Sequence, residues 1–154
     1  MTQLSPATAQ RYVGLAFEQL LGVADRLGDS HVNERPHGPD TNAVAALIVH
    51  CCGVCEFWLG HVGLGRETVR DRDAEFSTTA SIAELRALVA ATLEQVEHDL
   101  VTLEAAPPSP HAGAREHLVE NDRSDASLVL HVIEELFQHL GHAELTADAL
   151  LAPS

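Results

Sequence analysis

Four ionisable side chains, His131, Glu135, His139 and His142, fall along one strip of an apolar segment near the C-terminus. At about 100° per residue they lie, with Leu128, within roughly 40° either side of Glu135. Beside them runs a stripe of Val129, Val132, Ile133, Leu136, Leu140 and Ala143, so the strip borders a core-facing surface. Glu135 and His139 stand at i, i+4 and project together. One helix can give two ligands to one metal ion with that spacing, as in the helical metal sites of bundles. The same pair also occurs on solvated helix faces, so a metal site needs a further donor from another helix.

His50 is the candidate for that donor. On a helical wheel it adjoins Leu47, Val54 and Trp58 at the rim of a wide apolar arc, where a lone His is commonly a satisfied core residue. His61 lies near the same stripe but about 16 Å further along a helix, too far to share a site with His50. Cys51, Cys52 and Cys55 contain a C-x-x-C, but inside an apolar helical segment with no strand before it. They read as small core residues rather than a redox motif, and Cys52 faces away from His50.

The elements that must position these residues are helices. Hydrophobic residues make up 45% of the 154 and aromatics only 4%, so the core is aliphatic, which suits packed helices better than a sheet. Ser5-Pro6 reads as an N-cap and first-turn proline, followed by helical spacing from Val13 to about Leu27. A polar loop over residues 30–41 precedes a second helix over about 42–62, apolar almost all round and ended by Gly63 and Gly65. After a long connection, Ser81 and Glu84 make a capping box that opens a third helix. Its buried stripe is Ile82, Leu85, Leu88, Val89, Leu93, Val96, Leu100 and Leu103, and Pro107, Pro108 and Pro110 stop it. A second long, polar connection carrying His111 and His117 leads to a last helix over about 125–150. No strand signal and no repeat is present. The expectation is an all-α four-helix bundle, one domain over residues 1–154, with long loops after helices 2 and 3.

The formal charge of −14 repels phosphate backbones, so no nucleic-acid partner is expected. No apolar run approaches the roughly 20 residues of a membrane span, and residues 1–10 lack the regions of a signal peptide. A cytoplasmic protein that does not enter the membrane is expected, and three clustered Cys are not a disulfide framework.

The stretches AALIVHCCGVCEFWLGHVGLGR, RDRDAEF and HVIEELFQHLGHAELTADAL together resemble the DinB-like superfamily of metal-binding four-helix bundles. The likeness covers nearly the whole chain and is greatest to the actinobacterial branch that includes mycothiol transferases. It implies an up-down-down-up bundle, frequent homodimers, and a metal held by one His of the second helix, here His50, and two residues of the last helix at i, i+4. Many members have His at both of the latter positions and an Arg-Gly-Gln-like tail. Here the positions hold Glu135 and His139, and the tail is His139-Leu140-Gly141-His142. Mycothiol-using isomerase relatives also carry Glu four residues before His. His142 then stands where it can support the site, and His131 is an alternative ligand ranked below Glu135.

Two neutral His and one carboxylate are a catalytic donor set for zinc, which keeps a fourth position open; nickel can use the same ligands. A thiol brought there is deprotonated. The resemblance implies a low-molecular-weight thiol, of the mycothiol type, as co-substrate and nucleophile toward an electrophilic small molecule. The expected activity is a thiol S-transferase. Arg35, His37, Trp58, Arg70 and Arg72 are expected around the substrate pocket, the arginines to fix carboxylates, unless Arg70 and Arg72 simply pair at the surface with Asp71, Asp73 and Glu75. The rival readings are a thiol-dependent isomerase, whose relatives carry an added C-terminal domain, and a non-enzymatic metal-binding or stress-response bundle.

Overall fold

The computed structural model describes residues 4–153. Residues 1–3 and 154, the two ends of the expected domain, lie outside the described residues.

Three of the four long helices begin at a side-chain cap, whereas the second starts at Val44 with Ala43 as an N-cap that makes no side-chain hydrogen bond. Ser5 accepts the Thr8 N–H at 3.1 Å and Pro6 occupies the first turn of α1, Pro6–His31. The regular part of α1 ends at Leu27 as expected, because Gly28 turns to φ +65°. One further turn, held by Val32 N–H on the Gly28 carbonyl, completes the element. Ser81 and Glu84 form the capping box of α4, Ile82–Leu103, and Ser124 caps α5, Asp125–Leu151.

The second helix differs from a plain α-helix. Val44–Cys55 is α-helical (α2), but the chain continues over Glu56–Gly63 as a π-helix, whose wider turn hydropathy does not reveal. A short helix, α3, Arg72–Ser77, was not expected in the connection that follows; Asp71 caps it by accepting the Ala74 N–H. Two 3-10 turns, Ala112–His117 and Val119–Asn121, interrupt the second connection.

Ion pairs and contacts at the helix ends fix the directions. Arg26 and Asp148 pair near the C-termini of α1 and α5, so these two run alike. Asp25 of α1 meets Arg86 at the start of α4, which runs opposite. Gly63, at the end of the second helix, lies beside Leu103 of α4 and Leu128 of α5, so the second helix runs with α4 and against α5. The order is up-down-down-up. All described elements are helical.

Phe17, Leu20, Leu47, Ile48, Leu59, Leu85, Leu128 and Leu136 fill the core, with one aromatic among eight, in keeping with the composition. Val44–Gly63, with 20 residues and a mean hydropathy of 1.5, is in fact long and apolar enough to cross a membrane, contrary to the run-length reading. The difference arises because its few polar residues are spaced singly. In this fold 67% of its 18-residue apolar window is buried inside the bundle.

The first connection is held down by a second feature that periodicity misses. Gly60 leaves room for the Arg66 guanidinium, which a methyl group there would strike. Arg66 makes two hydrogen bonds, of 2.9 and 2.7 Å, to Asp99, a carboxylate only 1% exposed. Gly14, by contrast, sits in α1 with nothing within 4 Å of an added methyl. Gly14→Ala is therefore expected to stabilise the protein by about 0.5–1 kcal/mol through helix propensity. Gly60→Ala should instead destabilise by about 1 kcal/mol, because the flexible Arg66 tip must shift and weaken its hydrogen bonds to Asp99. Urea unfolding of the two variants beside the parent checks both signs.

Candidate metal centre

His50 is carried at mid-length on α2, the most buried helix, and is itself 2% exposed. A neutral imidazole so placed has one N–H to donate and one lone pair to offer. Glu75 of α3 takes the donor: His50 Nδ1 lies 2.8 Å from Glu75 Oε2. Arg70 holds that carboxylate from the other side, with Nε at 2.6 Å from Oε1 and a terminal nitrogen at 2.9 Å from Oε2. Gly53 makes the approach feasible, since a methyl there would overlap Glu75 Oε1. The Phe76 ring packs 4.6 Å from the imidazole, centroid to centroid.

Nδ1–H donation to a carboxylate leaves the lone pair on Nε2, which is buried and has no hydrogen-bond partner among the described residues. Glu135 and His139 of α5 converge on it. One donor atom from each of His50, Glu135 and His139 lies within 4.8 Å of the other two. His139 Nε2 is 3.6 Å from Glu135 Oε2, and its ring meets that of His50 edge-on with centroids 4.6 Å apart. A buried, orphaned ring nitrogen beside a second imidazole and a carboxylate is a donor set that fits a divalent ion. The carboxylate behind His50 is the usual support for a metal-binding imidazole, fixing its tautomer and orientation.

The electrostatics agree. Burial is the largest influence on His50 and pulls it below the ordinary 6.5, against the opposing hydrogen bond and charge of Glu75. Burial also lowers His139, reinforced by the charge His50 would carry and opposed by Glu135. Both rings are thus kept neutral, the state that ligates. Burial pushes Glu75 up, but the hydrogen bonds from Arg70 and His50 outweigh it and hold the carboxyl below its usual value.

A cavity of about 420 Å³ opens beside the triad, lined by His50, Val54, Phe57, Trp58, Arg72, His131 and Glu135, with Thr68 and Arg70 at its wall. His131, the alternative ligand, is in that wall, edge-on to Trp58 at 4.6 Å, and is not one of the three converging donors. His142 is exposed, its ring 6.4 Å from that of His139. Trp58 and Arg72 border the cavity. Arg35 and His37 do not: Arg35 donates to the carbonyls of Pro39 and Phe76, tying its own loop to α3, and His37 is exposed. Arg70 reaches the cavity but its guanidinium is committed to Glu75. That pair is buried, not a surface bridge.

Glu75 is the residue that sequence reasoning missed. It lies in an acidic and basic run, RDRDAEF, that reads as a solvated surface, and nothing in the run says that one carboxylate turns inward.

The sequence model described as the DinB superfamily matches residues 14–143. No curated protein and no solved structure matches the chain.

Two outcomes follow from the geometry. Glu75→Gln keeps the shape but removes the charge behind His50, and should weaken zinc binding about 10–100-fold, read by competition with a chelating dye. In the metal-free protein, the unfolded chain binds more protons than the native one between the lowered native values and about 6.5, so stability decreases there as pH is lowered. Urea unfolding after chelation should show this loss as pH drops below about 6.5. The fall should be shallower in a His50→Gln, His139→Gln variant, and protonation of Glu75 should add a further loss at lower pH.

Proposed function

The chain belongs to the DinB superfamily, and from that premise we propose that it is a divalent-metal-dependent thiol S-transferase. In this reading a low-molecular-weight thiol of the mycothiol type attacks an electrophilic small molecule. The observation that carries the reading is the buried, unpartnered Nε2 of His50 facing Glu135 and His139 at the edge of a cavity of about 420 Å³. A divalent ion held by these three residues supplies the Lewis acidity that lowers the pKa of a thiol brought against it. Zinc suits two imidazoles and a carboxylate, and nickel can use the same set.

The protein's own groups do the rest. Glu75 keeps the His50 lone pair on Nε2, and Arg70 keeps Glu75 ionised. Val54, Phe57 and Trp58 give the cavity an apolar wall that excludes water and accepts the body of the electrophile. His131, whose Nδ1 is 3.5 Å from Glu134 Oε2, stands in the same wall to take the thiol proton. A carbon–sulfur bond forms and the leaving group departs with its electron pair.

Elemental mass spectrometry of untagged protein is the first test, beside a His50→Ala, His139→Ala variant. Near one equivalent of metal in the parent and almost none in the variant is the expected result. The parent should then speed conjugation of N-acetylcysteine to 1-chloro-2,4-dinitrobenzene, and the variant should not. No metal in either protein, even after soaking with zinc or nickel, would sink the catalytic reading.

A further inference from the structure

All nine cationic residues of this acidic chain are arginines. Six of them pair with a carboxylate: Arg26, Arg66, Arg70, Arg86, Arg115 and Arg123. Arg35 donates to two backbone carbonyls and Arg11 to the Thr8 hydroxyl. Arg72 alone has no hydrogen-bond or ion-pair partner among the described residues, and it lines the cavity beside the metal centre. Its neighbours do not neutralise it: Asp71 is turned to cap α3 through the Ala74 N–H, and neither Asp71 nor Asp73 pairs with it.

The position of Arg72 is nonetheless defined. Its guanidinium lies over the Phe76 ring, 5.3 Å from the centroid, and Phe76 in turn packs against His50. A cation seated on an aromatic face keeps its N–H groups free at the edge. In a chain with a formal charge of −14, a cation without a protein partner, facing a cavity, is a place for a ligand's negative charge. Val54, Phe57 and Trp58 give the wall an apolar and aromatic stretch, and its one carboxylate, Glu135, belongs to the metal triad.

We propose that Arg72 anchors a carboxylate of the electrophilic substrate, so that the cavity selects small organic acids with a planar, apolar body over their neutral counterparts. The anion is held by the guanidinium fork, its body lies along Phe57 and Trp58, and the opposite end faces the metal triad. That the bound acid is a substrate rests on the thiol-transfer reading; that it binds does not.

Trp58 is the single tryptophan of the chain and lies in the cavity wall, so its fluorescence reports occupancy. The protein would be titrated with benzoate and with benzamide, its neutral counterpart, as purified and again after chelation, beside Arg72→Gln and Arg72→Lys. Arg72 is exposed, and circular dichroism would verify that the variants remain folded. Benzoate should perturb Trp58 in the parent, about tenfold or more weakly in Arg72→Gln, and at an intermediate level in Arg72→Lys. Benzamide should bind more weakly than benzoate and be indifferent to Arg72. Equal binding of the two compounds, no response to benzoate at millimolar concentration, or an unchanged benzoate affinity in Arg72→Gln would each overturn the proposal. The two readings separate: Arg72-dependent benzoate binding in a metal-loaded protein that shows no thiol transfer upholds this inference while the transferase reading fails, and its persistence after chelation shows that Arg72 and not the metal holds the anion.

Discussion

The inward carboxylate of Glu75 is the constraint on which the site depends. His50 stands on a helix so apolar that its imidazole would otherwise be buried with both nitrogens unsatisfied, at about 1–3 kcal/mol for each lost partner. Glu75 accepts the Nδ1–H hydrogen bond and so determines which nitrogen keeps the lone pair. Burying that carboxylate alone would be costly, and it is tolerable because Arg70 meets it with two hydrogen bonds. Space for the pair comes from the missing side chain of Gly53. The dependency runs in one direction: Gly53 admits Glu75, Arg70 keeps it charged, Glu75 sets the His50 tautomer, and the free Nε2 then faces Glu135 and His139.

The connection after the second helix is built to deliver these groups. Arg66, Thr68 and Arg70, every second residue, turn toward the bundle: Arg66 to Asp99, Thr68 to the Glu56 carboxylate, Arg70 to Glu75. Glu67 and Val69 between them are exposed. This is the period-2 geometry of extended chain laid across a helix. Its inward residues are polar, so the anchoring comes from charge-assisted hydrogen bonds rather than apolar burial. Gly53 and Gly60 open the two arginine seats on the helix beneath. Thr68 and Arg70 also border the metal cavity, so the same strap forms one of its walls.

These facts explain what could and could not be read from the sequence. The long helices were legible because caps and apolar spacing are local: Ser5 and Ser81 cap where their types allow. The pairing of Glu135 with His139 was legible because i, i+4 is a property of one helix. Joining them to His50 took a resemblance, since no local pattern says which faces of two helices meet. Glu75 and the strap were not legible, because an alternation of polar residues carries no hydropathy signal. Arg35 and Arg70 looked alike as loop cations; only the fold shows one tied to backbone carbonyls and the other to a buried acid. The π-helical turns of Glu56–Gly63 leave the apolar character of the segment unchanged and so pass unnoticed as well.

Three cysteines lie within five residues of His50, yet the converging donors are nitrogen and oxygen. The reason is electrostatic. Burial pushes Cys52 up to about 12 and raises Cys51 and Cys55 further, with neighbouring thiols and carboxylates adding to the rise. A thiolate at any of them would need a cation, and Arg70, whose charge bears on Cys55, is already bound to Glu75. The protein's own thiols are therefore inert core groups. A sulfur nucleophile at this site, in the proposed reaction, has to arrive from solution through the cavity, which is where the Trp58 and Arg72 side chains stand.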